Sequence, residues 1–171
     1  NGYTICSGSF DETIRIWDVE TAKQLNMFER HKNWIRSVKY GSNEFSNTIL
    51  SVAHDKSVRL WDTRSSQQIG VFNGHEGHVY AADYSPFVMK NSNKVICSNS
   101  DVICSVSYDK TIRFWDIRSN KNELYIMKVG AEVTCLKFIL KKEINNKKKL
   151  NGNCCVNLCY GSSKGPIYLW G

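Results

Sequence analysis

One twelve-residue pattern occurs four times along the chain, and it limits the fold more than any other feature. SGSFDETIRIWD (7–18) returns as SVAHDKSVRLWD (51–62), as SVSYDKTIRFWD (105–116) and, degraded, as YGSSKGPIYLWG (160–171). The spacings keep one frame. Asp11 to Trp17, Asp55 to Trp61, Asp109 to Trp115 and Lys164 to Trp170 are all six residues. Trp17 to His31 and Trp61 to His75 are both fourteen, and the same count from Trp115 reaches Val129. Tryptophans therefore recur at intervals of 44, 54 and 55 residues. The two longer intervals carry insertions, placed at 86–101 and 141–153, and both segments are rich in Asn, Ser or Lys, as loops are. Within the first insertion VICS occurs at 95–98 and again at 102–105, and the Asp109–Trp115 spacing favours the second copy as the strand.

The units read as β structure. ETIRIWD and KSVRLWD alternate apolar and polar residues and are rich in β-branched side chains. Asp-x-Thr and Asp-x-Ser after a Ser-bearing segment form tight turns. No segment holds a helical period over eleven residues. The expectation is an all-β chain of short antiparallel strands, four per complete unit.

Composition closes off other classes. The chain has 171 residues, 2 prolines and 11 glycines, too few of both for collagen-like or low-complexity disorder. No apolar run approaches the ~18 residues of a spanning helix, so no membrane partner is expected. Seven cysteines, without a Cys-x-x-Cys pair or a nearby His, lack zinc-ligand spacing and sit mostly in apolar stretches. A reducing, intracellular compartment follows, with cytoplasmic residence expected. The net charge is +7, and Lys141–Lys149 (KKEINNKKK) supplies +4 of it. That run first reads as a solvated loop, and as a nucleic-acid contact it lacks the Arg and aromatic residues that usually accompany lysines.

The Gly74-His75 to Trp115-Asp116 signature, and Arg30-His31 to Trp61-Asp62 with Gly replaced, resemble the WD40-repeat β-propeller family. The tract His31–Asp62 is similar to units in dynein-regulating, centriolar and splicing members alike. The resemblance implies a partial propeller of about four blades. These are blade one at 1–29, blade two at 30–73, blade three at 74–128 and blade four at 129–171. Two are complete, the first lacks strand a and the last lacks strand d, so the count is fourteen strands. WD-type rings commonly have seven blades, so the chain reads as about half a ring, which fits its start at Asn rather than Met. Further units, from the parent chain or a second copy, are expected to close it.

The resemblance also implies a buried hydrogen-bond chain in each blade. Blade two supplies His31, Ser51, Asp55 and Trp61. Blade three supplies His75, Ser105 or Ser107, Asp109 and Trp115. Blade one keeps Ser7 or Ser9, Asp11 and Trp17. Val129 and Lys164 remove the His and the Asp from blade four. A Ser-His-Asp set invites comparison with a hydrolytic triad, yet a set repeated once per structural unit is better explained as scaffolding. No enzyme activity, cofactor or metal is expected.

The same geometry puts the d–a loops and b–c turns on one face. Residues beside them are the candidate protein-binding set: Phe10, Trp34, Arg36, His54, His78, Tyr80 and Tyr108. Exposed aromatics with Arg are favoured at interface hot spots. The leading function is a non-catalytic scaffold for a protein or peptide. Two alternatives accompany it. Trp61-Asp62-Thr63-Arg64 and Trp115-Asp116-Ile117-Arg118 resemble the box by which some family members dock on the adaptor of cullin–RING ubiquitin ligases, making Arg64 and Arg118 candidate docking residues. The plainer reading is an ion pair closing the c–d turn. The other alternative is nucleic-acid contact through Lys141–Lys149.

Overall fold

A computed structural model describes residues 3–41, 45–90, 94–118, 123–140 and 156–170, with backbone only for 87–90, 94–100 and 140. The insertion 141–153, with its lysine run, lies outside the described residues. Among the described residues fourteen strands form four antiparallel sheets in chain order. Blade one holds β1 (Thr4–Gly8), β2 (Thr13–Asp18) and β3 (Gln24–Glu29). Blade two holds β4 (Ile35–Tyr40), β5 (Thr48–Ala53), β6 (Ser57–Asp62) and β7 (Gln67–Asn73). Blade three holds β8 (Val79–Lys90), β9 (Lys94–Ser107), β10 (Thr111–Asp116) and β11 (Glu123–Lys128). Blade four holds β12 (Val133–Leu140), β13 (Val156–Ser162) and β14 (Ile167–Trp170). The chain is all-β, an open partial propeller.

Each sheet is a meander whose turns follow from the sequence. In the b–c turns Asp11, Asp55 and Asp109 accept the backbone N–H two residues ahead, at 2.9–3.1 Å. The intervening Glu12, Lys56 and Lys110 adopt φ of 71°, 67° and 62°. Blade four has Gly165 in that position, with φ 102°, a region open to glycine without a Cβ penalty.

The core lies between sheets rather than within any one. Ile14, Ile16 and Phe28 of blade one pack on Ile35, Ile49, Ala53 and Trp61 of blade two. Leu50, Val58, Leu60 and Phe72 then pack on Val79, Ile103 and Trp115. Cys104, Val106, Ile112 and Phe114 pack on Val133, Val156 and Leu158. A strand-d Phe of one blade meets the strand-c Trp of the next: Phe28 to Trp61 at 5.3 Å and Phe72 to Trp115 at 6.0 Å between ring centres.

The segment 86–101 departs from the loop expectation. Both VICS copies belong to β9, and Phe87–Lys90 pair with Lys94–Cys97 as an extension of the β8–β9 hairpin. A register shift between Ser85 and Phe87 separates this extension from the blade. Backbone pairing satisfies groups that an irregular loop would leave to water, and the β-branched residues of VICS suit it.

Candidate protein-interaction face

The two complete blades share one buried network. His31 Nδ1 donates to Asp55 Oδ2 at 2.8 Å, and its Nε2 lies 2.8 Å from Ser51 Oγ. Trp61 Nε1 donates to Ser51 Oγ at 2.7 Å. In blade three His75 meets Asp109 and Ser105, each at 2.8 Å, and Trp115 donates to Ser105 at 2.8 Å. With a neutral imidazole every polarity matches: Trp N–H to Ser, Ser O–H to His Nε2, His Nδ1–H to Asp. Ser105 is therefore the network serine, while Ser107 Oγ accepts the Asp109 N–H and closes the turn. Blade one divides the roles likewise, Ser7 accepting from Trp17 and Ser9 from the Asp11 N–H.

Sequence reasoning missed two members of each network. Ser57 and Thr111 hydroxyls donate to Asp55 and Asp109 at 2.7 and 2.6 Å. Arg59 and Arg113 then reach across to strand d, to Gln68 and Glu123 at 2.7 and 2.5 Å. The signal was Asp-x-(Ser/Thr)-x-Arg, whose period of two places all three on one strand face. Burial opposes the charge on Asp109. Hydrogen bonds from His75 and Thr111 overcome it and hold the carboxyl well below the usual range, and Asp55 behaves alike through His31 and Ser57. Burial, against the pull of Asp109, keeps His75 below an ordinary imidazole. Ser51 and Ser105 are fully buried, and each hydroxyl joins a Trp to a His inside its blade.

Blade four differs. Val129 and Lys164 hold the His and Asp places, while Tyr160 stands where the others have Ser51 and Ser105. Tyr160 stacks on Tyr168, the counterpart of Arg59, at 5.2 Å. A cavity of about 210 Å³, lined by Met127, Val129, Ala131, Tyr160 and Tyr168 among others, occupies the site of the lost chain.

Because the His–Asp bonds tie each d–a loop to a b–c turn, side chains flanking them are drawn into one row. Phe10 stacks on Trp34 at 4.7 Å and 19°. Trp34 meets His54 at 5.3 Å, and His54 stacks on His78 at 4.1 Å and 16°. His78 reaches Tyr108 at 6.2 Å. Tyr80 stands edge-on to His54 and carries the Arg36 guanidinium over its ring at 5.3 Å. The row thus crosses three blades, with Phe10, Trp34 and Tyr108 exposed. His78 Nδ1 donates to the His54 carbonyl at 2.9 Å, and His54 Nε2 is buried with no hydrogen-bond partner.

The docking-box arginines sit elsewhere, on the c–d turns. Asp62 accepts the Arg64 backbone N–H at 2.7 Å and Asp116 that of Arg118 at 2.9 Å. The backbone N–H groups of Arg64 and Ser65, and then the Arg64 charge, hold the Asp62 carboxyl below its usual range. Arg118 pairs with Asp101, and both arginines are exposed. Among the described residues no group of His, Cys, Asp and Glu could hold a metal ion, and no helix is long and apolar enough to cross a membrane.

Comparison with known proteins agrees with this architecture. A stretch of 39 residues is 44% identical to a Lissencephaly-1 homolog from Heterostelium pallidum (strain ATCC 26659 / Pp 5 / PN500). That stretch covers 23% of this chain and 9% of the relative, so the chain matches a small part of that protein's length. The family model "WD domain, G-beta repeat" matches residues 1–18, 22–62 and 66–116, more than half of the chain. The repeat frame, the sheet order and this match together place the chain in the WD40-repeat family, whose repeats mark protein-interaction scaffolds.

Proposed function

We propose that the chain receives a protein or peptide partner on the face formed by its d–a loops and b–c turns, without chemistry of its own. The ring row from Phe10 to Tyr108 carries this reading. Stacked aromatic side chains present large rigid area at low entropic cost, and Arg36 adds the residue type most enriched beside them at hot spots. Trp34→Ala combined with Tyr108→Ala should weaken capture of a physiological partner about 30-fold, the effect of a hot spot of about 2 kcal/mol, while thermal stability stays nearly constant. Capture at wild-type strength by the double variant would remove this face from consideration. The four described thiols, Cys6, Cys104, Cys135 and Cys159, are free, which supports a reducing, cytoplasmic setting.

A second contact is supported by the outer face of blade four. Ile167 and Leu169 are 73% and 67% exposed, while Ile112 and Phe114, their counterparts in blade three, are fully buried by the next blade. The same contrast holds for Val58 and Leu60 in blade two. We propose that a further blade of the same kind covers this face. Ile167→Asp with Leu169→Asp should then abolish docking of an added blade, or self-association of the chain, in sedimentation. A wild-type chain that stays monomeric and well folded, its near-ultraviolet spectrum unchanged by the two substitutions, would refute this.

A further inference from the structure

The centre of the ring row is two stacked imidazoles, and their surroundings identify the chemistry of the partner. This step rests on the binding face proposed above. His54 and His78 lie 4.1 Å apart and nearly parallel, close enough that charge on one opposes charge on the other. His78 spends its Nδ1–H on the His54 carbonyl, so in its neutral form Nε2 is the bare acceptor. His54 Nε2 is buried and unpartnered. Burial, then His78, then Arg36 hold the His54 imidazole below its ordinary range.

The groups facing this pair are the rings of Trp34, Tyr80 and Tyr108 and the guanidinium of Arg36. Its own turn adds Asp55, which is engaged inward with His31, and the exposed Lys56. Neighbouring loops add Lys32, Lys110 and Glu76, all exposed. The end turns add Asp11, paired with Arg15, and Glu12 beside Phe10, and Asp109, engaged inward with His75, beside Tyr108. The middle of the row is cationic and gains further positive charge with each proton. Stacked rings also turn their hydrogen-bearing, electropositive edges outward instead of their faces. A basic segment would meet repulsion here, whereas carboxylates would meet Arg36, ring edges and the His78 imidazole, with His54 stacked behind it.

We propose that the His54–His78 pair, with Arg36, is the receiving point for an acidic segment of the partner, and that binding draws a proton onto the pair. Linkage makes the effect reciprocal: a ligand that favours the protonated pair binds more tightly as the pH falls. A single linked proton limits the rise to about tenfold per pH unit.

The test uses a fluorescent decapeptide of glutamates, with a decapeptide of lysines as its opposite, and anisotropy at pH 8.0 and 6.5 on the full chain. The glutamate probe should bind, and its affinity should rise about threefold or more on going to pH 6.5. His54→Asn with His78→Asn should remove the rise while leaving weak binding, and Arg36→Gln should weaken binding at both pH values. The imidazole signals of His54 in nuclear magnetic resonance should titrate higher with the probe present. Three results would overturn the inference. The first is no binding of the glutamate probe at pH 6.5. The second is preference for the lysine probe. The third is an identical pH rise in wild type and the His54→Asn, His78→Asn variant, which would place the probe on another basic segment such as Lys141–Lys149. If Trp34→Ala with Tyr108→Ala still weakens partner capture under any of these results, the face stands and only its acidic preference falls. If those alanines change nothing, the face itself falls.

Discussion

Trp115→Ala should destabilise the chain by about 3–5 kcal/mol, the range for deleting a fully buried tryptophan. The ring is 1% exposed and packs on Phe72 of the preceding blade, so its loss leaves a cavity across the junction of blades two and three. The same deletion removes the N–H that Ser105 accepts at 2.8 Å. Trp115→Phe separates the two effects. It keeps most of the apolar volume and strips only the donor, so the cost should fall to about 1–2 kcal/mol. Trp17→Ala is the internal control, because that ring is only half-buried, and it should cost clearly less. Denaturant unfolding monitored by fluorescence and circular dichroism checks all three. Since domain stabilities run to about 5–15 kcal/mol, Trp115→Ala should remove a large share of the folding free energy. A cost below 1 kcal/mol would mean that this junction does not hold the arc together.

Asp109→Ala comes next, at about 3 kcal/mol, because it strands several donors at once. Asp109 accepts from His75 Nδ1, Thr111 Oγ1, the Thr111 N–H and the Glu76 N–H, at 2.6–2.9 Å. Removing it leaves a buried imidazole N–H with only the longer contact to Thr111 Oγ1, at 3.2 Å, and unties the d–a loop from the b–c turn. Asp11→Ala, at an exposed turn without a His, should cost far less. The acid limb of stability supplies an independent check. Asp55 and Asp109 titrate lower in the folded chain than in the unfolded one, so the unfolded chain takes up protons first as the pH falls. Their contribution is complete above about pH 4, the ordinary carboxyl range, and fades below it through the folded values. His75 acts in the same sense at higher pH. Its imidazole is held low when folded, so its share is complete above about pH 6.5 and fades as the pH drops toward the folded value. Stability measured from pH 8 to 3 should therefore decline in two stages, and Asp109→Ala should flatten the lower one. An unchanged acid limb in the variant would contradict the assignment.

Strand order and blade count were legible because one twelve-residue pattern carried both the alternation and the turn chemistry. The first blade's missing inner strand and the fourth's missing outer strand could be read from where that pattern begins and stops. Loss of the blade-four network was legible too, since the Val129 side chain cannot hydrogen-bond and the Lys164 ammonium cannot accept. Composition misled at residues 86–101, where Asn and Ser suggested a loop. Cross-strand pairing of the first VICS copy outweighed that tendency, as tertiary context often does. Arg59 and Arg113 went unassigned because a charged residue in an alternating strand reads as solvent-facing until its partners across the sheet are known. The row from Phe10 to Tyr108 was legible only as a set. Its order, with Trp34 between Phe10 and His54, depends on loop geometry that no periodicity encodes. The cavity beside Tyr160 is a matter of shape and left no trace in the pattern.

Placing the apolar core between sheets also bears on how the chain responds to load. No sheet owns a core, so each is held only by its neighbours, as in a short polymer with nearest-neighbour coupling. Among the described residues the inner two sheets share two junctions apiece and the outer two share one. Tension applied along the chain should therefore be relieved by the terminal sheets before the central pair. That pair also carries both complete His–Asp ties, which lock loop to turn on the side where the rings gather. The part of the arc that would yield last is thus the part that presents His54 and His78.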